Sequence, residues 1–339
     1  MEPSVDLTVI WALLIAFSVF AYVVLDGFDL GLGMLFALFP ARRDRDVIMN
    51  SVAPVWDGNE TWLVLGGGGL LAAFPLAYAL ILPALYAPLI AMLLALIFRG
   101  VAFEFRWRTE RWRGVWDFAF IGGSALAAFA QGVALGALLQ GIAVDEARRV
   151  YDGGWWDWLS PFSIVTGLAV MTGYMLLGAC WLVVKTGGAL EDRARRLAWI
   201  FGFATIGFIV LVSVLTLFLE PAYFDRWLGW PNIVYVAPVP ILVAALGVLM
   251  FRSLAVHGHT YRPFVLALGL FLLSFVGLGI SMWPYAIPTE VTIWEAAAPR
   301  ASQVFMLVGA VILIPIILVY TGYAYWVFRG KVDPETGYH

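Results

Sequence analysis

Residues 7–39 read LTVIWALLIAFSVFAYVVLDGFDLGLGMLFALF, an apolar run whose only charges are Asp26 and Asp29. A helix needs about 20 such residues to cross a hydrocarbon core of roughly 30 Å, so this stretch alone places the chain in a membrane. A second motif, WDGNETW at residues 56–62, adds Asp57 and Glu60 to the next apolar segment. No Lys or Arg stands between Met1 and Ala41 or between Asp46 and Phe98. A carboxylate near the centre of a bilayer costs roughly 2.5–3.5 kcal/mol on insertion scales, so acids at that depth usually face a bundle interior or a water path and mark function. Proton transfer is the first chemistry they suggest.

Composition agrees with that class. The 339 residues are 63% hydrophobic and 13% charged, with a mean hydropathy of +0.90; soluble domains run nearer 45–50% apolar and about 25% charged. The net charge of −3 says little about partners, because in a membrane protein the placement of charge carries the information. The one cysteine, Cys180, cannot form an intrachain disulfide. The start, MEPSVDLTVIW, has acids and no basic segment, and the apolar run behind it is too long for a signal peptide, so the first span is expected to be retained.

Nine spans are expected in a single integral membrane domain covering residues 1–339: 7–39, 51–74, 76–98, 115–139, 161–184, 197–219, 233–251, 263–285 and 302–328. Only Ala73 to Tyr78 separates the second from the third, and Pro75 at the join favours a tight reversal because proline breaks the helical ladder. With the amino terminus outside, alternation puts 16 of the 20 Lys and Arg in inner loops, leaving Arg148, Arg149, Arg226 and Arg300 outside. That asymmetry supports nine spans with a cytoplasmic carboxyl terminus. The outer loops carry tryptophans instead, Trp155, Trp156, Trp158, Trp227, Trp230, Trp283 and Trp294, read first as interfacial anchors and second as a docking surface for another subunit.

This orientation puts Asp29 about ten residues, or roughly 15 Å, from the inner end of the first helix, and Asp57 and Glu60 in the opening turns of the second. Each pair is spaced i, i+3 and so shares a helix face, and the four acids are expected to line one cleft reaching in from the cytoplasm. Burial beside like charges favours the neutral acid, so at least one of each pair is expected to be protonated at pH 7 and able to pass a proton on. Two alternatives stay open: the acids hydrogen-bond helix backbones or a partner chain, or Arg99 at similar depth neutralises one of them. Gly27 and Gly31, and the run Gly66 to Gly69, read as close helix packing, with a ligand surface or a local helix break as alternatives.

All three histidines fall outside the expected spans, His257 and His259 in an inner loop and His339 at the terminus. A haem-binding chain most often supplies His, or His with Met, as axial ligands; no intramembrane His is on offer. No Cys/His metal spacing, phosphate-binding glycine loop or nucleophile with its base is present. His257-x-His259 reads as a solvated loop pair before it reads as a metal site. The residues alone therefore describe a membrane subunit that moves protons or supports a partner doing redox chemistry.

The segments FAYVVLDGFDLGLGMLF at 20–36, APVWDGNETWLVLGGGGLLAAFPLAYA at 53–79 and FRGVAFEFR at 98–106 resemble subunit II of cytochrome bd-type quinol oxidases, including the cyanide-insensitive branch. The match is specific over residues 20–106 and collinear in span number and length beyond. The resemblance implies two four-helix bundles plus one peripheral helix, in a multi-pass protein of the bacterial cytoplasmic (inner) membrane. It implies a heterodimer, sometimes with a small third subunit, that oxidises quinol and reduces oxygen to water without pumping protons. Haem b and haem d, and the quinol-oxidising loop, would belong to partner subunit I; a bound structural quinone is associated with some members. By the same resemblance Asp57 would serve proton uptake, within a motif that includes Trp56, Gly58, Asn59, Trp62 and, further on, Arg99. Placing Asp26, Asp29 and Glu60 on the same path is an inference from depth and face. Two rivals stand beside this expectation, a proton-coupled secondary transporter and a purely structural assembly subunit.

Overall fold

The computed structural model describes residues 6–145 and 147–332. In chain order the helices are α1 (Leu7–Leu35), α2 (Arg42–Asn50), α3 (Trp56–Ala73), α4 (Pro75–Ala84), α5 (Tyr86–Arg108), α6 (Arg113–Leu139), α7 (Pro161–Lys185), α8 (Gly188–Thr216), α9 (Pro221–Leu228), α10 (Asn232–Val236), α11 (Pro238–Leu254), α12 (Tyr261–Met282), α13 (Ile293–Ala296) and α14 (Arg300–Val327). Two small antiparallel ribbons interrupt the helices. They are β1 (Val144–Asp145) with β2 (Val150–Tyr151) and β3 (Tyr285–Ile287) with β4 (Val291–Thr292), with Val144 opposite Tyr151 and Tyr285 opposite Thr292.

Helices α1, α3, α5 and α6 form one group and α7, α8, α11 and α12 a second, joined where α7 packs on α1 and α6. This is the expected pair of four-helix bundles. Helix α14 lies outside them along α1 and α3, and none of its most apolar stretch is buried, which makes it the peripheral helix. The α1–α7 contact is tight because both helices carry glycine there. A Cβ on Gly31 would fall 1.8 Å from the Tyr174 carbonyl oxygen, and one on Gly178 2.8 Å from the Gly31 carbonyl carbon, so the packing reading of Gly27 and Gly31 holds. The run at 66–69 divides instead. Gly66 and Gly69 face Val19 and Ile15 of α1, whereas Gly67 and Gly68 have nothing within 4 Å.

Eight helices among the described residues are long and apolar enough to cross a membrane, with α4 as a shorter apolar helix. The expected second span is helical as α3, but two acids and five glycines in 18 residues leave it less apolar than the eight. The expected third span, 76–98, is interrupted and shifted. Pro88 has no N–H and crowds the carbonyl four residues back, and the helix breaks at Leu85 (φ −107°, ψ 18°). Beyond the break α5 runs on to Arg108, so Arg99 and Arg106 are buried helix residues where an inner loop was expected. Both are ion-paired to carboxylates on other helices, partners that a count of consecutive apolar residues does not see. Similarly α8 begins at Gly188, ahead of the expected Leu197.

The helix ends divide into an arginine-rich and a tryptophan-rich side. At the first, Arg195 binds Glu191 and donates to the carbonyls of Leu254, Val256, His257 and His259, tying α8 to the end of α11. At the second, Asp6 caps α1 by accepting from Thr8 N–H at 3.0 Å and takes the Trp294 indole N–H at 2.8 Å. Ser160 starts α7 with a reciprocal capping box.

Candidate functional site

Three helices meet at Arg99. Its Nη2 lies 2.5 Å from Asp29, and its Nη1 lies 3.4 Å from Asp26 and 2.9 Å from Glu60. The i, i+3 spacing presents Asp26 and Asp29 to α5 together, and α3 brings Glu60 from its second turn. Arg99, Asp26 and Asp29 are fully buried, while the Glu60 side chain keeps 27% of its surface exposed. The guanidinium also lies against aromatic rings, 5.5 Å from the centre of Phe103 and 6.0 Å from Trp56, which stack on each other at 4.9 Å. A planar, permanently charged fork suits such a position, being less strongly hydrated than an ammonium and able to address several oxygens at once. Formally, three carboxylates face one cation, and two acidic groups are left over.

Asp57 is not among them. Its side chain is exposed and borders a groove of about 300 Å³ whose lining includes Gly58, Asn59, Glu104, Tyr320 and Tyr325. The expected single cleft of four acids is therefore two sites. Asp57 and Glu60 are one turn apart on α3, yet the helix sits at the bundle surface, so the small angle between them separates groove from interior. Asn59 stands between the two: it is buried, donates to the Leu25 carbonyl at 3.2 Å, accepts from the Tyr325 hydroxyl at 2.8 Å and adjoins Asp29. Gly58 has open space where a side chain would be. Trp62 is buried with its ring edge-on to Phe17 at 5.5 Å; it packs α3 on α1 and does not reach the acids.

Sequence reading missed several polar residues. Tyr325 joins the site from α14, with nothing in its local sequence to mark it. Arg106 is buried against Asp117 at 2.6 Å and Asp46 at 2.7 Å, and Arg45 reaches Asp117 at 2.9 Å; this second cluster closes the arginine-rich end of the first bundle. Gln131, an amide inside an apolar run, was a legible signal left unused. It links Tyr22 and Tyr174 beside Asp26. His257 and His259 lie in the loop after α11, His257 3.3 Å from Asp192; His339 is outside the described residues. No group of three or more His, Cys, Asp or Glu is arranged to hold a metal ion among the described residues. Among the described residues, no histidine stands in a helix long and apolar enough to cross a membrane.

Comparison with known proteins gives the family and the fold. Residues 7–328 match the family model for cytochrome bd terminal oxidase subunit II. Cytochrome bd-I ubiquinol oxidase subunit 2 of Escherichia coli K12 is 32% identical, the alignment covering 96% of this chain and 95% of that one. Cytochrome bd ubiquinol oxidase subunit 2 of Bacillus subtilis 168 is 30% identical over 96% of each. Among solved structures, a chain of the bd oxidase from Geobacillus thermodenitrificans superposes with a TM-score of 0.81 at 19% identity, covering 95% of this chain and 98% of that chain, a likeness of fold. With eight helices among the described residues long and apolar enough to cross a membrane and matches across nearly its whole length, the chain is a multi-pass inner-membrane protein that belongs to the cytochrome bd terminal oxidase subunit II family.

Proposed function

We propose that this chain is the haem-free subunit of a quinol:oxygen oxidoreductase. In this reading it carries protons from the cytoplasm toward a partner subunit I that holds haem b and haem d. The observation that carries the proton role is the charge imbalance at Arg99: two surplus carboxylic groups, fully enclosed except at Glu60, are balanced by protons. The supply begins at the arginine-rich side, which the positive-inside bias makes cytoplasmic. Asp57 takes protons at the groove, Asn59 and Tyr325 border both groove and Asp29, and Glu60 and Asp29 hold protons beside Arg99. The bound haems would supply the electron and oxygen chemistry. This chain's acids would hold and release the protons that chemistry consumes. Taking them from the cytoplasm while quinol releases its own outside makes turnover electrogenic without pumping.

Quinol and oxygen are then substrates of the complex, and membrane lipid with subunit I, in some assemblies a small third subunit, covers the apolar exterior. The test is Asp57→Asn in the assembled complex, reading oxygen consumption per haem. Slower turnover at unchanged haem content is expected. Full activity at normal assembly would reject the role of Asp57. If neutralising Asp26, Asp29, Asp57 and Glu60 changed only the amount of complex, the acids would be structural, as the enclosure of Arg99 by three carboxylates would also allow.

A further inference from the structure

Behind the acid cluster, away from Glu60, a second set of buried polar groups joins three helices. Tyr22, on α1 one turn before Asp26, is 4% exposed, and Tyr174 on α7 is 1% exposed. Gln131 of α6 connects them: its Nε2 donates to the Tyr22 hydroxyl at 2.8 Å, and its Oε1 accepts from the Tyr174 hydroxyl at 2.7 Å. Each contact uses a different half of the amide, so the order of donors runs from Tyr174 through Gln131 to Tyr22. The Tyr22 hydrogen is left unused by Gln131, and Asp26 stands four residues further along α1, on the same face of that helix. Both Asp26 oxygens are buried and lack a hydrogen bond, with Arg99 at 3.4 Å as their ionic neighbour. A buried carboxylate without donors is costly, and a phenol one turn away with a free hydrogen is the group placed to satisfy it.

We infer that Tyr22 is a positioning residue for the acid cluster, held by Gln131 and Tyr174 so that its hydroxyl donates to Asp26. Fixed in this way, Asp26 is the anchored member of the cluster, and exchangeable protons reside on Asp29 and Glu60. Gln131 also closes the rear of the site. A side-chain amide relays a proton only by passing through its imidic acid form, so the chain of donors ends as a wire at Tyr22. The groups facing Asp26 and its partners are Arg99 from α5, Glu60 from α3, Asp29 and Tyr22 from α1, Tyr174 from α7 and Tyr325 from α14. This inference rests on the proton-uptake reading above.

The experiment takes the assembled oxidase with Tyr22→Phe and, separately, Gln131→Leu. It records the infrared carboxylate stretching region, assigned by Asp26→Asn, and the pH profile of turnover per haem. Loss of the donor is expected to shift the Asp26 band in Tyr22→Phe. It should also move the pH at which turnover declines by about one unit, the scale of one charge-assisted hydrogen bond. Gln131→Leu, which keeps the hydroxyl but frees it, should shift the same band in the same direction. An unmoved band in a variant that assembles overturns the positioning role. If Tyr22→Phe does not assemble, Gln131→Leu alone decides it. A shifted band with an unmoved pH profile keeps the contact and rejects the proton reading on which it rests.

Discussion

Arg99 holds Asp26, Asp29 and Glu60 together within 3.4 Å of its guanidinium, so its loss leaves three acids with no cation in an apolar bundle. Breaking a buried ion pair from one side costs about 3–5 kcal/mol. Arg99→Gln is therefore expected to abolish accumulation of folded chain, measured by size-exclusion chromatography in detergent. Arg99→Lys should restore it only in part, because one ammonium cannot address three carboxylates in the fork geometry. The acids themselves were legible as residues, since carboxylates in a run such as 7–39 have few roles besides function. Their partition was not. Whether Asp57 or Glu60 turns inward depends on which side of α3 meets α1 and α5, and an i, i+3 spacing on a half-exposed helix does not settle that. The partnership of Asn59 with Tyr325 joins residues 266 positions apart and has no local trace.

At the scale of the elements, glycine placement sets how closely α1 and α7 approach. Gly31→Ala drives a methyl into the Tyr174 carbonyl and the Gly178 backbone, and overpacking of this kind costs about 1–3 kcal/mol. A thermal melt in detergent should show a clear drop for Gly31→Ala and little change for Gly67→Ala, whose added methyl meets open space. Equal melts for the two variants would show that the close approach of α1 and α7 at Gly31 does not limit stability. Helix existence was readable from apolar length, and most of the expected spans fall on observed helices. Boundaries failed where charge is compensated from elsewhere. The helix carrying Arg99 and Arg106 continues through what composition marks as a loop, because Asp29, Asp46 and Asp117 neutralise it from α1, α2 and α6. The break at Leu85 was written in Pro83 and Pro88, which the reading of Pro75 as the turn left unused.

For the molecule as a whole, the tryptophan-rich end is closed by carboxylates outside the membrane-crossing helices. The Trp294 indole N–H beside Asp6, with the first backbone amides of α1, holds its carboxyl below the ordinary 3.8, and the Thr292 amide and hydroxyl hold Glu295 below 4.5. Groups held low in the folded state stabilise it fully above the unfolded values, and that contribution fades as pH falls through the folded ones. The melting temperature of the wild-type chain should accordingly fall more steeply than that of Asp6→Asn between about pH 5 and pH 3, the ordinary carboxylate range. Parallel curves would show that Asp6 does not contribute. The two bundles with one peripheral helix came from family resemblance and agree with the observed packing, which makes α14 that helix. Composition alone gave the membrane class and no arrangement.

The most direct test of the proton-uptake account is proton uptake during a single turnover of the oxidase in liposomes, with a pH-sensitive dye on the cytoplasmic side. The wild-type complex should take up protons from that side in step with oxygen reduction. In the Asp57→Asn, Glu60→Gln double variant, with haem content unchanged, uptake should be slowed and oxygen reduction slowed with it. Uptake at the wild-type rate in that variant would contradict the account and leave the acids of this chain a structural role alone.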